Sequence, residues 1–194
     1  SVICDIVYDG GKVAALKPKF FGAYNDCSIR REGASKISRK KNWGANSKGI
    51  ARKLLKVDSF QKGGMMDEYR IACYLKRGGK LYAYGIDSAV SSYSYFHGKL
   101  LDWIVERINN QVDGGPLENV GELIRECGNP NEAIISIGAT RYTEFGESGY
   151  LQKHDEVYTV LYPSEVYEKG EMAEMIEGGR FDADGLSVLH QVVR

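Results

Sequence analysis

The 194-residue chain reads as an α+β fold: antiparallel sheet with helices packed on it, of which an αββα sandwich is one form. Three observations carry this. The β-favouring runs arrive in adjacent pairs, joined by Gly-Gly turns. Amphipathic helical stretches stand between and after those pairs instead of alternating with single strands, as a parallel sheet would require. No GxGxxG loop follows a strand, as it would in a doubly wound dinucleotide fold. The length suits one domain spanning residues 1–194, with enough core to fold without a disulfide or metal staple.

Taken in order, VICDIVY and KVAALKP flank Asp9-Gly10-Gly11, whose glycines supply the positive φ that a tight hairpin turn needs. In KGIARKLLKV, Asn46 or Ser47 stands at a cap position and Ile50, Leu54 and Leu55 share a side, which predicts a short helix over 47–57. EYRIACYL and KLYAYGID form a second hairpin about Gly78-Gly79, with Ile71, Cys73 and Leu75 on one face. SSYSYFHGKLLDWIVERINNQ is an amphipathic helix through Phe96, Leu100, Trp103, Ile104 and Ile108, ended by Asp113-Gly114-Gly115-Pro116. LENVGELIREC is a shorter helix that stops before Gly128-Asn129-Pro130. EAIISIGATRY and DEVYTVLY read as strands, with TEFGESGYLQKH a polar loop or hairpin tip between them. SEVYEKGEMAEMIEGG is a final helix, and the tail GLSVLHQVV fits a strand or a helix.

Charge is balanced overall, 26 Lys/Arg against 26 Asp/Glu, but not along the chain. Residues 1–97 hold 18 basic and 8 acidic side chains, and residues 98–194 hold the reverse. Oppositely charged halves predict either two different partners or a head-to-tail homo-oligomer. The basic excess concentrates between Arg30 and Lys62. There Arg30, Arg31, Arg39, Lys40, Lys41, Trp43, Arg52 and Lys53 have the makings of a phosphate-contacting surface with a stacking aromatic. That pattern fits a non-enzymatic nucleic-acid-binding or assembly subunit, a viral one included; a solvated face is the plainer reading. Glu165, Glu168, Glu171, Glu174 and Glu177 likewise read as a soluble helix face or a surface for a basic partner.

Cys4, Cys27, Cys73 and Cys127 are widely spaced without a CxxC, which points to free thiols in a reducing, cytoplasmic or otherwise intracellular compartment. Basic neighbours make Cys27 a candidate for a lowered pKa, with a structural thiol as the alternative. No apolar run reaches the roughly 18 residues of a membrane span, and the start lacks the pattern of a signal peptide. GxxxxGK[ST], HExxH and GxSxG are absent, and His97, His154 and His190 lie far apart, so neither a metal site nor a cofactor is expected.

Ser1 is the remaining candidate. A chain-terminal Ser can use its own α-amino group as general base, provided that a strand holds it rigidly, and VICDIVY follows at once. The opening SVICDIVYDGGKVAALKP…FGA resembles the first hairpin of the N-terminal-nucleophile hydrolases of the proteasome β-subunit type, and YRIACYLKRGGKLYAYGIDS resembles their later strand pair. The resemblance covers about a third of the chain. It implies an αββα sandwich and an amidohydrolase or peptidase acting on peptide or amide bonds through an acyl-enzyme. Ser1 would be nucleophile and base, and Lys36, in GASKI, the stabilising cation. Lys17 stands where the family has an acid, and it would substitute only electrostatically. Asp113-Gly114-Gly115 lacks the serine of the family's Ser-Gly-Gly segment.

Overall fold

A computed structural model describes residues 1–29 and 32–194; Arg30 and Arg31, both expected to contact phosphate, lie outside the described residues. The first hairpin forms as its sequence dictates. Strands β1 (Val2–Asp9) and β2 (Lys12–Phe21) pair antiparallel from Val2 opposite Phe21 to Asp9 opposite Lys12. The turn between them uses Gly10 at φ +55° and Gly11 at φ +77°, the signature of a type I′ turn. Alternation buries Val2, Cys4 and Ile6 on one face of β1. Its other face carries Asp5, which with Glu132 binds the Lys19 ammonium.

After β3 (Tyr24–Asp26) and the short helix α1 (Ile37–Lys41) come β4 (Lys48–Ile50) and β5 (Leu55–Lys56). This corrects the helix expected over 47–57. Tyr24 pairs with Ile50, Phe20 pairs with Lys56, and the Ser187 hydroxyl donates to the Lys53 carbonyl at 2.7 Å. Each of these contacts draws backbone groups of the segment outward to other strands, and the intrahelical ladder loses them.

The second hairpin, β6 (Tyr69–Arg77) and β7 (Lys80–Ala89), also turns on two left-handed glycines, Gly78 and Gly79. Helix α2 (His97–Asn110) follows; it buries Leu100 and Ile108 and packs along β2. α3 (Val120–Glu126) starts at Asn119, whose side chain accepts from the Glu122 amide, and β8 (Glu132–Ile135) comes next. The expected polar loop then contains one helical turn, α4 (Glu144–Glu147), capped by Thr143. β9 (Glu156–Pro163), α5 (Glu171–Glu177) and β10 (Ser187–Val192) complete the chain; the tail is a strand. The expected helix from Ser164 is thus shortened to α5, so that Glu165 and Glu168 precede it.

The strands assemble into two open four-stranded antiparallel sheets, β5-β2-β1-β8 and β10-β9-β6-β7, plus the β3-β4 pair. One apolar core joins the sheets: Val2, Cys4, Ile6, Leu16 and Phe21 from the first, Tyr69, Leu161 and Leu189 from the second, with Phe60, Phe96 and Leu100. On the far face of the second sheet, Met172, Met175 and Ile176 of α5 cover Ala72, Tyr74, Tyr158, Val160 and Tyr162. The molecule is therefore an α+β fold of antiparallel sheets with helices packed on them. No helix among the described residues is long and apolar enough to cross a membrane.

Candidate active site

The loop entering the second hairpin positions a carboxylate. Lys62-Gly63-Gly64 turns sharply: Gly63 sits at φ +83°, and a Cβ on Gly64 would run into the Ser59 carbonyl oxygen. The turn places the Gly63 amide 2.8 Å from Asp67 Oδ2, where it donates a hydrogen bond. Asp67 itself lies in a 3₁₀ turn, Met65–Glu68, directly before β6.

The other carboxylate oxygen meets a histidine thirty positions downstream: His97 Nε2 and Asp67 Oδ1 are 2.7 Å apart. His97 opens α2 with φ +55°, a left-handed conformation that costs a non-glycine residue on the order of 1–3 kcal/mol. Phe96 and Phe60 wall the imidazole, with ring centroids 4.5 Å and 5.9 Å from it. About a quarter of each polar side chain stays open to solvent, 23% for His97 and 24% for Asp67.

Burial works to raise the Asp67 pKa, but the Gly63 N–H and the His97 ring outweigh it and hold the carboxyl below its ordinary value. An ionised Asp67 accepts a hydrogen bond from Nε2–H, and in the neutral tautomer that fits this contact Nδ1 carries the lone pair. The Gly63 amide, the Asp67 carboxylate and the His97 ring are thus linked by two hydrogen bonds, an arrangement that general-base chemistry can use.

The residues singled out in the sequence do not gather in this way. The Ser1 amine donates to the Gly22 carbonyl at 3.0 Å, and burial pushes it from 8.0 to about 5. The Ser1 hydroxyl oxygen is buried without a hydrogen-bond partner among the described residues. Lys36 Nζ is held elsewhere, by Asp113 at 2.5 Å and by the Leu117 carbonyl at 2.7 Å. Lys17 is exposed, opposite Asp5 in the β1–β2 ladder. Ser1 and Lys36 therefore make no hydrogen bond.

The basic stretch is divided. Arg39, Lys40 and Arg52 are exposed, Lys41 binds Asp26, and Lys53 binds the Asp182 and Ala183 carbonyls. The Trp43 indole N–H donates to the Cys27 carbonyl at 2.9 Å, which leaves its ring 44% exposed. At Cys27 burial pushes the thiol up, against a hydrogen bond from Asn25 that lowers it, which favours the structural-thiol reading over the lowered pKa. All four cysteines are free, Cys127 being exposed. Among the described residues, no three His, Cys, Asp or Glu side chains cluster to hold a metal ion.

In the sequence His97 is one of three scattered histidines and Asp67 one of 26 acids, and the thirty residues between them hide the pairing. The available signals were local: a histidine at the first position of a strongly amphipathic helix, and a carboxylate behind a Gly-Gly turn.

Residues 1–193 match DUF5718, a family of unknown function, and the chain belongs to it. No curated protein and no solved structure matches the chain.

Proposed function

For this member of DUF5718 we propose a hydrolase of amide or ester bonds in which His97 is the general base and Asp67 its orienting partner. The observation that carries the reading is the 2.7 Å His97–Asp67 contact, made by a histidine whose backbone is left-handed. Strain of this kind persists only where the surrounding structure over-determines it, and it concentrates at functional sites. His97 Nδ1 takes a proton from water as the hydroxide oxygen bonds to the substrate carbonyl carbon. The imidazolium then returns that proton to the leaving nitrogen or oxygen as its bond to the carbon breaks. Asp67 stabilises the imidazolium between the two steps and keeps the ring from rotating.

The test is hydrolysis of chromogenic esters and anilides by the intact chain, beside His97→Asn. Asparagine tolerates the left-handed backbone and removes the base, and circular dichroism checks that the fold is kept. The expected loss in kcat/KM is about 10²–10⁴-fold. An unchanged rate in the variant, or no hydrolysis above buffer by the parent chain, overturns the reading.

One observation favours a second reading. The Cys27 carbonyl fixes the indole N–H of the half-exposed Trp43, and Arg39 and Lys40, four and three residues before it, are exposed cations of the kind that contact phosphate. Binding of single-stranded oligonucleotides that weakens steeply with salt and is lost in Trp43→Ala would support it.

A further inference from the structure

Helix α2 presents different faces at successive 100° steps. Leu100 and Ile108 are buried in the core and Leu101, Ile104 and Val105 are partly buried against it; Leu101 and Val105, with Gly98, Asp102 and Glu106, also line a groove of about 360 Å³ against β2. That volume lies in the lower part of the range of about 300–1,000 Å³ occupied by small-molecule sites. The opposite wall is Ala14, Ala15 and Leu16 of β2. Between Lys12 and Pro18 the outer edge of β2 has no strand partner among the described residues, because β5 pairs only with Phe20 and Phe21.

The groove is apolar at its base and acidic at its rim. Asp102 and Glu106 stand one turn apart on α2, both exposed, and like charges at this spacing repel one another. Glu106 has a cation beside it, Arg107 at 3.3 Å, and Asp102 has no ion-pair partner among the described residues. An occupant with an aliphatic body and a positive end satisfies both features: methylenes against Ala14, Ala15, Leu101 and Val105, and an ammonium between the carboxylates. A neutral chain leaves the repulsion in place, and an anionic one adds to it. Gly98, which lines one end of the groove, follows His97 in the chain.

We propose that this groove binds a linear alkylammonium chain, and so selects amide or ester substrates that carry a lysine-like side chain. The substrate class rests on the hydrolase reading; the binding site does not.

Calorimetric titration of the intact chain with n-pentylammonium, n-pentanol and pentanoate tests the site directly. The ammonium should bind one to one, about tenfold more tightly than the alcohol, the combined worth of two exposed charge contacts. Asp102→Asn with Glu106→Gln should abolish that preference while the circular dichroism stays unchanged. Equal affinity for ammonium and alcohol, no saturable binding, or undiminished binding by the double variant overturns the proposal. Lysyl and norleucyl p-nitroanilides separate this inference from the catalytic one. Faster cleavage of the lysyl compound supports both. If pentylammonium binds and neither anilide is cleaved, the groove stands and the hydrolase reading falls. Equal cleavage of the two anilides sinks the substrate assignment and leaves the hydrolase reading intact.

Discussion

Two carboxylates organise much of the polar chemistry of individual residues, and both depend on partners distant in the chain. Asp67 is shared between Gly63 and His97. Asp155, with only 2% of its side chain exposed, is gripped by Arg77 through Nε at 2.8 Å and a terminal nitrogen at 2.6 Å, and it also accepts from the Gln152 amide. The Arg77 hydrogen bonds hold its carboxyl below the usual range, outweighing burial. A carboxyl whose pKa falls on folding contributes stability that is complete above its unfolded pKa of about 3.9. That contribution is lost as pH falls through the lower, folded value. Urea unfolding between pH 6 and pH 2 should therefore show stability declining at the acid end, with a shallower decline in Asp155→Asn. Identical slopes in the two proteins would show that this ion pair has no part in the acid sensitivity. In the sequence Asp67 is marked only by the Gly-Gly turn before it, and nothing local distinguishes Asp155 from the other acids. Burial and hydrogen-bond partners make them distinct, and both arise only when remote segments meet.

At the scale of elements, the hairpins were legible and the segment between them was not. Gly10-Gly11 and Gly78-Gly79 specify their turns through backbone conformations that are cheap only for glycine, so local sequence suffices. The stretch 47–57 has helical spacing, but its backbone groups are claimed by β3, by the edge of β2 and by Ser187. Ladder partners so far away leave no mark on the local period. The same dependence governs how α2 seats on β2. The Asn109 side chain accepts from the Val13 amide at 3.1 Å and donates to the Val13 carbonyl at 2.7 Å, closing part of an otherwise unpaired strand edge. Asn109→Ala should lower the unfolding free energy by about 1–3 kcal/mol, the cost of leaving part-buried polar groups unpaired. A change within about 0.5 kcal/mol, typical of a plain surface substitution, would mean that water replaces the amide freely.

Across the whole molecule, the basic and acidic halves of the chain do not segregate into separate bodies. β8 from the acidic half pairs with β1, and β9 lies between β6 and β10. Lys19–Glu132, Lys36–Asp113 and Arg77–Asp155 join the halves through ion pairs. The core they surround draws on both sheets, so unfolding should be one cooperative event. In urea, far-ultraviolet circular dichroism and tryptophan fluorescence, reporting on Trp43 and Trp103, should superimpose; two separated transitions would show that the sheets fold as independent units.

Local physics accounts for the two hairpins, the amphipathic face of α2 and the turns that end it, because turn glycines and side-chain periodicity act within a few residues. The same short range explains why α+β could be read from the order of the elements alone. Pairing β1 with β8 and inserting β9 beside β6 bring together strands separated by more than seventy residues of chain, and no short-range preference encodes such a choice. Burial of apolar faces across the finished core selects it. The His97–Asp67 site belongs to that second category: its two halves stand on elements that are separately unremarkable until the core between the sheets brings them within hydrogen-bond reach.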